Sequence, residues 1–245
     1  MAIMSAKDVH VNDKVFKILV IGDYGSGKSI FASTFPTPAF VFDFDKGILS
    51  YRGKDFDYTS YNIDPKGWID FDKDFMEIKK AVAEGKYKTV VIDSTSTMAD
   101  LAMERALQLD PKRSATNGPL WNVHYGIVKN LVEGKLRQIM QLDCNIVVIA
   151  HLQVVKDEES GAVIGTQPLL PGALSQKIPG YFDEVYYAFN RMKDGKPAFM
   201  MQTVSKGHYK ARSRISGEKS ILPVEIPNDY AELIKAIEKA GKENK

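Results

Sequence analysis

Four short apolar runs punctuate the first two thirds of the chain, at Lys17–Ile21, Ala39–Asp43, Thr89–Asp93 and Asn145–Ala150. They are rich in Val, Ile and Phe and do not alternate with polar residues, which is what strands covered on both faces require. Runs of this kind separated by helical patterns predict βαβ units feeding a parallel sheet. The longest helical pattern lies between about Pro119 and Leu142, where Val123, Ile127 and Leu131, then Val132, Leu136 and Ile139, recur at helical spacing. Pro119 suits its start, because a first-turn N–H has no helical partner to lose.

Beyond His151 the texture changes. Val154–Gly172 carries Lys156-Asp157-Glu158-Glu159 and Gly161 and reads as a mobile loop or a hairpin tip. Glu184–Asn190, Ala198–Ser205 and Ile221–Val224 read as further strands, with Lys193-Asp194-Gly195-Lys196 as a tight turn, so the sheet is expected to continue antiparallel. A closing helix is expected, capped by Asn228, with Tyr230, Leu233, Ile234 and Ile237 on its apolar face and Gly241 at its end.

The 245 residues suffice for one sizeable α/β domain, expected over 14–240 between an N-terminal extension, 1–13, and a charged tail, 241–245. A content of 44% hydrophobic and 26% charged residues is that of a globular chain. No apolar run nears the roughly 20 residues that span a bilayer, and the N-terminus lacks a signal-peptide stretch, so a cytoplasmic protein with no membrane partner is expected. Cys144 stands alone, which excludes an internal disulfide and leaves a buried structural thiol. The net charge of +2 makes no case for nucleic acid, and the one dense basic stretch is Lys206, Lys210, Arg212, Arg214 and Lys219, opposed only by Glu218.

Chemistry enters at Gly22-Asp23-Tyr24-Gly25-Ser26-Gly27-Lys28-Ser29, which fits G-x-x-x-x-G-K-[ST] and stands directly between an apolar strand and a helical segment. Glycines there let successive backbone N–H groups turn inward on phosphate oxygens. Lys28 adds a point charge for the outer phosphates and the Ser29 hydroxyl a ligand for magnesium. The expected ligands are ATP and Mg2+, held by Gly22–Ser29 together with Ile30. A second acidic site is needed to hold the metal through water, and Asp93, at the end of a buried strand, supplies it.

The run Phe40-Val41-Phe42-Asp43-Phe44-Asp45-Lys46-Gly47, the ending Ile92-Asp93-Ser94 and the stretch Ile146-Val147-Val148-Ile149-Ala150-His151 follow the loop in the order seen in RecA-like ATPases. The chain resembles that superfamily, and within it the compact phage-encoded ATP-binding proteins of single-strand annealing and recombination. The resemblance implies a RecA-like P-loop NTPase fold, α/β, with a mainly parallel central sheet flanked by helices and antiparallel C-terminal strands. It implies a DNA-stimulated ATPase in which Asp45 polarises the attacking water and His151, or alternatively Gln153, senses the γ-phosphate. Single-stranded DNA would be met by Val154–Gly172 and by Gln108–Trp121 with Lys112 and Arg113, Trp121 offering a stacking surface. Asp157, Glu158 and Glu159 would repel its phosphates. Lys210-Ala211-Arg212 is similar to the K-x-R element with which ring-forming relatives reach a neighbour's nucleotide, which implies self-association into a ring or filament. A phage recombination or replication protein is a further expected partner. Two other classes stay open, a small-molecule kinase of the same loop type and a non-hydrolysing ATP switch, the latter because Asp45 stands where the family more often has Glu.

Overall fold

The structure is a computed structural model that describes residues 15–215 and 222–242. Strand β1 (Lys17–Gly22) lies between β5 (Asn145–Lys156) and β7 (Glu184–Lys193), parallel to both. Beyond β5 come β4 (Thr89–Asp93), β2 (Ala39–Asp43) and the edge strand β3 (Phe56–Ser60), all parallel. Beyond β7 the sheet turns antiparallel through β8 (Lys196–Gln202) and β10 (Glu225–Pro227). Two short strands complete it, β6 (Val163–Pro168) on the outer half of β5 and β9 (Arg212–Ser213) on the start of β7. This is the expected α/β class with a mainly parallel centre and antiparallel C-terminal strands.

The apolar runs do not alternate because both faces of the sheet are covered. Leu19 and Ile21 face one buried cluster with Phe42, Val90, Ile92 and Val148, covered by α2 (Gly67–Ala83), α3 (Thr95–Leu109) and α4 (Trp121–Ile139). Ile18 and Val20 face the other, where Val41, Val91 and Ile149 meet Phe31 of α1 (Lys28–Ala32) and Leu233 and Ile237 of α6 (Tyr230–Lys242). Cys144 is buried, and burial pushes its thiol up to about 11.

Several local expectations need correction. The buried face of α4 runs through His124, Val128, Val132, Leu136 and Ile139, so the second half of the expected stripe is buried as read, while its first half is displaced by one residue and leaves Ile127 and Leu131 only partly buried. Strand β5 continues past Ala150 to Lys156 and pairs with β6, so of the two expectations for the following stretch it is the hairpin that forms. Its tip is held by Asp157, whose Oδ1 accepts from Ser160 N (2.8 Å) and Ser160 Oγ (2.7 Å). The late strand is Glu225–Pro227 rather than Ile221–Val224, its register set by pairing with Met200–Gln202; Ile221 lies outside the described residues. The cap of α6 is Asp229, whose Oδ1 accepts from Ala231 N (2.8 Å) and Glu232 N (3.3 Å), because Asn228 is engaged elsewhere. The helix also runs through Gly241 to Lys242. Residues 1–13, Gly217, Glu218, Lys219 and the tail residues 243–245 lie outside the described range. The turn at Lys193–Lys196 forms as expected, with positive φ at Asp194 (52°) and Gly195 (73°), the pattern of a tight hairpin. Among the described residues no helix is long and apolar enough to cross a membrane.

Several elements were absent from the expected set: β6, β9 and the short helix α5 (Leu174–Lys177), and with them β3, α2 and α3. β3 is an edge strand whose polar side chains, Asp57 and Thr59 among them, hide it. α2 carries Trp68, Phe71, Phe75, Ile78 and Val82 at helical spacing, and α3 packs between it and α4. Phe71 sits within 5.0 to 6.5 Å of the rings of Phe42, Phe44, Tyr61, Trp68 and Phe75 and is fully buried. Phe71→Ala is therefore expected to cost about 3–5 kcal/mol, read by chemical denaturation; a loss below about 1 kcal/mol would show that this aromatic cluster does not anchor α2.

Candidate functional site

Gly22 closes β1, and the chain turns through Asp23–Gly27 into α1. Gly25 and Gly27 adopt φ of 68° and 90°, a region other residues avoid. Space is a second constraint at Gly27, where a Cβ would lie 2.7 Å from both Asn228 Nδ2 and the Phe199 ring. Lys28 folds back across the loop, its Nζ donating to the carbonyls of Gly22 (3.0 Å) and Asp23 (2.7 Å). Burial lowers the Lys28 pKa, an effect opposed by the charges of Asp93, Asp45 and Asp23. The Ser26 hydroxyl is buried without a partner among the described residues.

Register brings the acids to the same end of the sheet. Asp43 pairs with Asp93 across β2 and β4, and Gly22 pairs with His151 across β1 and β5, so Gly22, Asp43 and Asp93 end their parallel strands with His151 level with Gly22 on β5, at the edge where ligands of open α/β sheets bind. Asp93 is 3% exposed and accepts hydrogen bonds from Ser29 and from Tyr51 Oη (2.8 Å). Burial pushes its carboxyl up to about 6, with the charges of Asp45 and Asp43 acting in the same direction against those two hydrogen bonds. Asp43 is also buried, but its carboxylate accepts from Gly47 N (2.8 Å) and Ser60 Oγ (2.7 Å), which makes it a brace for the turn after β2.

Asp45, two residues beyond β2, is held by three side chains. Its Oδ1 accepts from Ser94 Oγ (3.0 Å) and Thr97 Oγ1, and its Oδ2 lies 3.0 Å from His151 Nε2. Burial raises its pKa, but the hydrogen bonds from His151, Thr97 and Ser94 outweigh it and keep the carboxyl below its ordinary value. His151 donates its backbone N–H to Ser96 Oγ (3.0 Å) and packs its ring 4.9 Å from that of Tyr24. Its Nδ1 is buried without a partner among the described residues, so the neutral ring has its proton on Nε2, toward Asp45. Gln153, the other sensor candidate, instead accepts from Gln167 Nε2 (3.1 Å) across the hairpin. Beside Asp45 and His151 opens a cleft of about 1080 Å³, walled by Tyr61, Asp100, Tyr125 and Pro171.

The remaining sequence candidates are dispersed. Ile30 and Tyr24 are exposed on the rim of the loop. Trp121 is 71% exposed and packs 4.4 Å from the Tyr125 ring, whereas Arg113 is clasped by the carbonyls of Leu107, Asp110 and Lys112. Lys210 is exposed, and Arg212 donates to the carbonyls of Pro179 (3.1 Å), Gly180 (3.4 Å) and Phe182. Arg212 pairs with Val185, three residues before Ala188, the partner of Gly22, so it stands toward the opposite end of the central strands from the loop. Missed by sequence reasoning were Tyr51, Ser94, Thr97, Asn190 and Asn228. The hydroxyl run Ser94-Thr95-Ser96-Thr97 directly after Asp93 was a usable signal for two of them.

A family model described as an AAA domain matches residues 14–215 of the chain. Among solved structures the chain is similar to a KaiC-like protein from the hyperthermophilic archaeon Pyrococcus horikoshii OT3, at 15% identity over 76% of each chain, with a TM-score of 0.42. No curated protein matches the sequence.

The raised carboxyl of Asp93 sets a direction with pH. A proton held up to about pH 6 favours the unliganded fold below the ordinary carboxylate value near 4, and that contribution is lost as pH rises through 6. A metal needs the ionised form, so the magnesium-dependent part of nucleotide affinity is expected to grow between pH 5 and 7 in calorimetric titrations and to show no such growth in Asp93→Asn. A pH-independent magnesium effect in the parent would remove Asp93 from the metal site.

Proposed function

Because the chain belongs to the AAA domain family, we propose that it binds Mg2+-ATP in the loop Gly22–Ser29 and hydrolyses it, with Asp45 as the general base. The observation that carries this reading is the Asp45 carboxylate, kept ionised by His151, Thr97 and Ser94 at the mouth of a cleft and within electrostatic reach of Lys28 and Asp93. The residues fit the group. Lys28 would exchange its bonds to the Gly22 and Asp23 carbonyls for phosphate oxygens, Ser29 would offer a hydroxyl to the metal, and Asp93, bonded to Ser29, would hold that metal with it. Bound magnesium neutralises charge developing on the transferring phosphoryl group. Asp45 orients the attacking water and accepts its proton, while His151, bonded to the same carboxylate and packed on Tyr24 of the loop, ties the state of the base to that of the loop.

The coupled ligand we propose is single-stranded DNA. Supporting this are the exposed Trp121, packed on Tyr125 at the wall of the cleft, which offers a stacking surface, and the exposed Lys112 nearby in sequence. The acidic hairpin tip at Asp157–Glu159 repels phosphate, so the strand follows the Trp121 side. In a ring or filament Lys210 is the better-placed cation of its pair, since Arg212 would first have to leave its three carbonyls. The size of the cleft also suits a phosphoryl acceptor, the kinase reading, which predicts transfer to an added acceptor and little phosphate release without one.

Asp45→Asn is expected to keep Mg2+-ATP affinity within a few-fold while multiple-turnover phosphate release falls about 10²–10⁴-fold; an unchanged rate would exclude Asp45 as the base. Single-stranded oligonucleotide should raise the parent's turnover, and Trp121→Ala should lose most of that increase without changing the basal rate. Turnover indifferent to the oligonucleotide would refute the DNA reading while leaving the ATPase reading in place.

A further inference from the structure

Two carbonyls of the loop accept hydrogen bonds from side chains far away in sequence. Asn228 Nδ2 donates to the carbonyl of Gly27 (2.8 Å) across 201 residues, and Asn190 Nδ2 to the carbonyl of Gly25 (2.9 Å) across 165. The Gly27 carbonyl also accepts from Phe31 N (2.9 Å) in α1, so Asn228 is its second donor; because the peptide unit is planar, holding this carbonyl outward holds the Lys28 N–H inward, and the Gly25 carbonyl does the same for the Ser26 N–H. These two N–H groups belong to the set that faces phosphate in a loop of this kind. Asn228 is 7% exposed and fixed in turn by its own N–H, which donates to the Phe199 carbonyl (3.1 Å) of β8. Its neighbours tie the same segment down. Glu225 pairs with Arg191 (3.1 Å) and Lys206 (3.3 Å), and Tyr230 N donates to Thr34 Oγ1 (2.9 Å) just beyond α1.

We propose that Asn228 is a positioning residue for nucleotide binding, so that the segment 222–242, which lies beyond the family match at 14–215, completes the phosphate site. The inference rests on the reading of Gly22–Ser29 as the nucleotide loop. Asn190 plays the same part from β7, more weakly because it is exposed to competing water. Gly27 packs against Asn228 and against Phe199 of β8 so closely that neither leaves room for a Cβ there.

The test is a comparison of Asn228→Ala and Asn190→Ala with the parent, by calorimetry with Mg2+-ATP and Mg2+-ADP and by steady-state phosphate release. Asn228→Ala should raise Kd and KM about three- to ten-fold, as expected for one lost hydrogen bond, with kcat at saturation within about two-fold. Asn190→Ala should change the same constants in the same direction and by less. A purely structural Asn228 would lower Tm or the fraction of active protein and leave Kd and KM untouched, and that result overturns the proposal. If Asn228→Ala does not fold, the surface variant Asn190→Ala decides, and unchanged constants there also overturn it. A parent that binds neither nucleotide would instead refute the nucleotide-loop reading.

Discussion

The site depends on the position of β1, a fully paired central strand whose buried residues reach both cores and whose last residue, Gly22, opens the loop. Pairing with β5 sets Gly22 beside His151, and pairing with β7 sets it beside Ala188, so the loop has a fixed neighbour on each side. A one-residue slip of β1 would invert which side chains reach which core, and burial on both faces forbids it. Glycine at position 22 follows from the same closeness, since a Cβ would lie 2.5 Å from Ser26 Oγ and 2.7 Å from the Ala188 carbonyl.

Three aspartates meet at the ends of β2 and β4, and their surroundings assign them different tasks. Asp43 has two donors and braces a turn. Asp93, buried beside Ser29 and Tyr51, is pushed up to about 6 by that burial and, less, by its acidic neighbours. Asp45, with three donors and an outlook on the cleft, stays a carboxylate. Under the proposed function, this separation of neighbouring acids gives Asp93 the metal and Asp45 the attacking water.

The parallel core was legible because burial on both faces leaves an unmistakable mark on β1, β2, β4 and the first half of β5. The glycine spacing of the loop was legible for a similar reason, since backbone conformation restricts residue choice there. Elements stabilised mainly by tertiary contact were not. β3 carries a polar edge, the register of β10 comes from β8, and Asn228 resembles a helix cap until its amide is seen on Gly27. Asp45 and His151 could be nominated one at a time, but their hydrogen bond spans 106 residues and left no local trace. The basic run showed the opposite failure, because Arg212 and Arg214 look free in sequence and are engaged by the turn at Pro179–Asp183.

Nucleotide binding by this loop is the central claim, and Lys28, whose ammonium would exchange its bonds to the Gly22 and Asp23 carbonyls for phosphate, is its most direct probe. Calorimetric titration of Mg2+-ATP into the parent and into Lys28→Ala measures it. The account predicts one site per chain in the parent and an affinity about ten- to hundred-fold weaker in the variant, the worth of a charge-assisted contact, with the two proteins equal in far-ultraviolet circular dichroism. Equal affinity in parent and variant, or no binding by a folded parent, would contradict it.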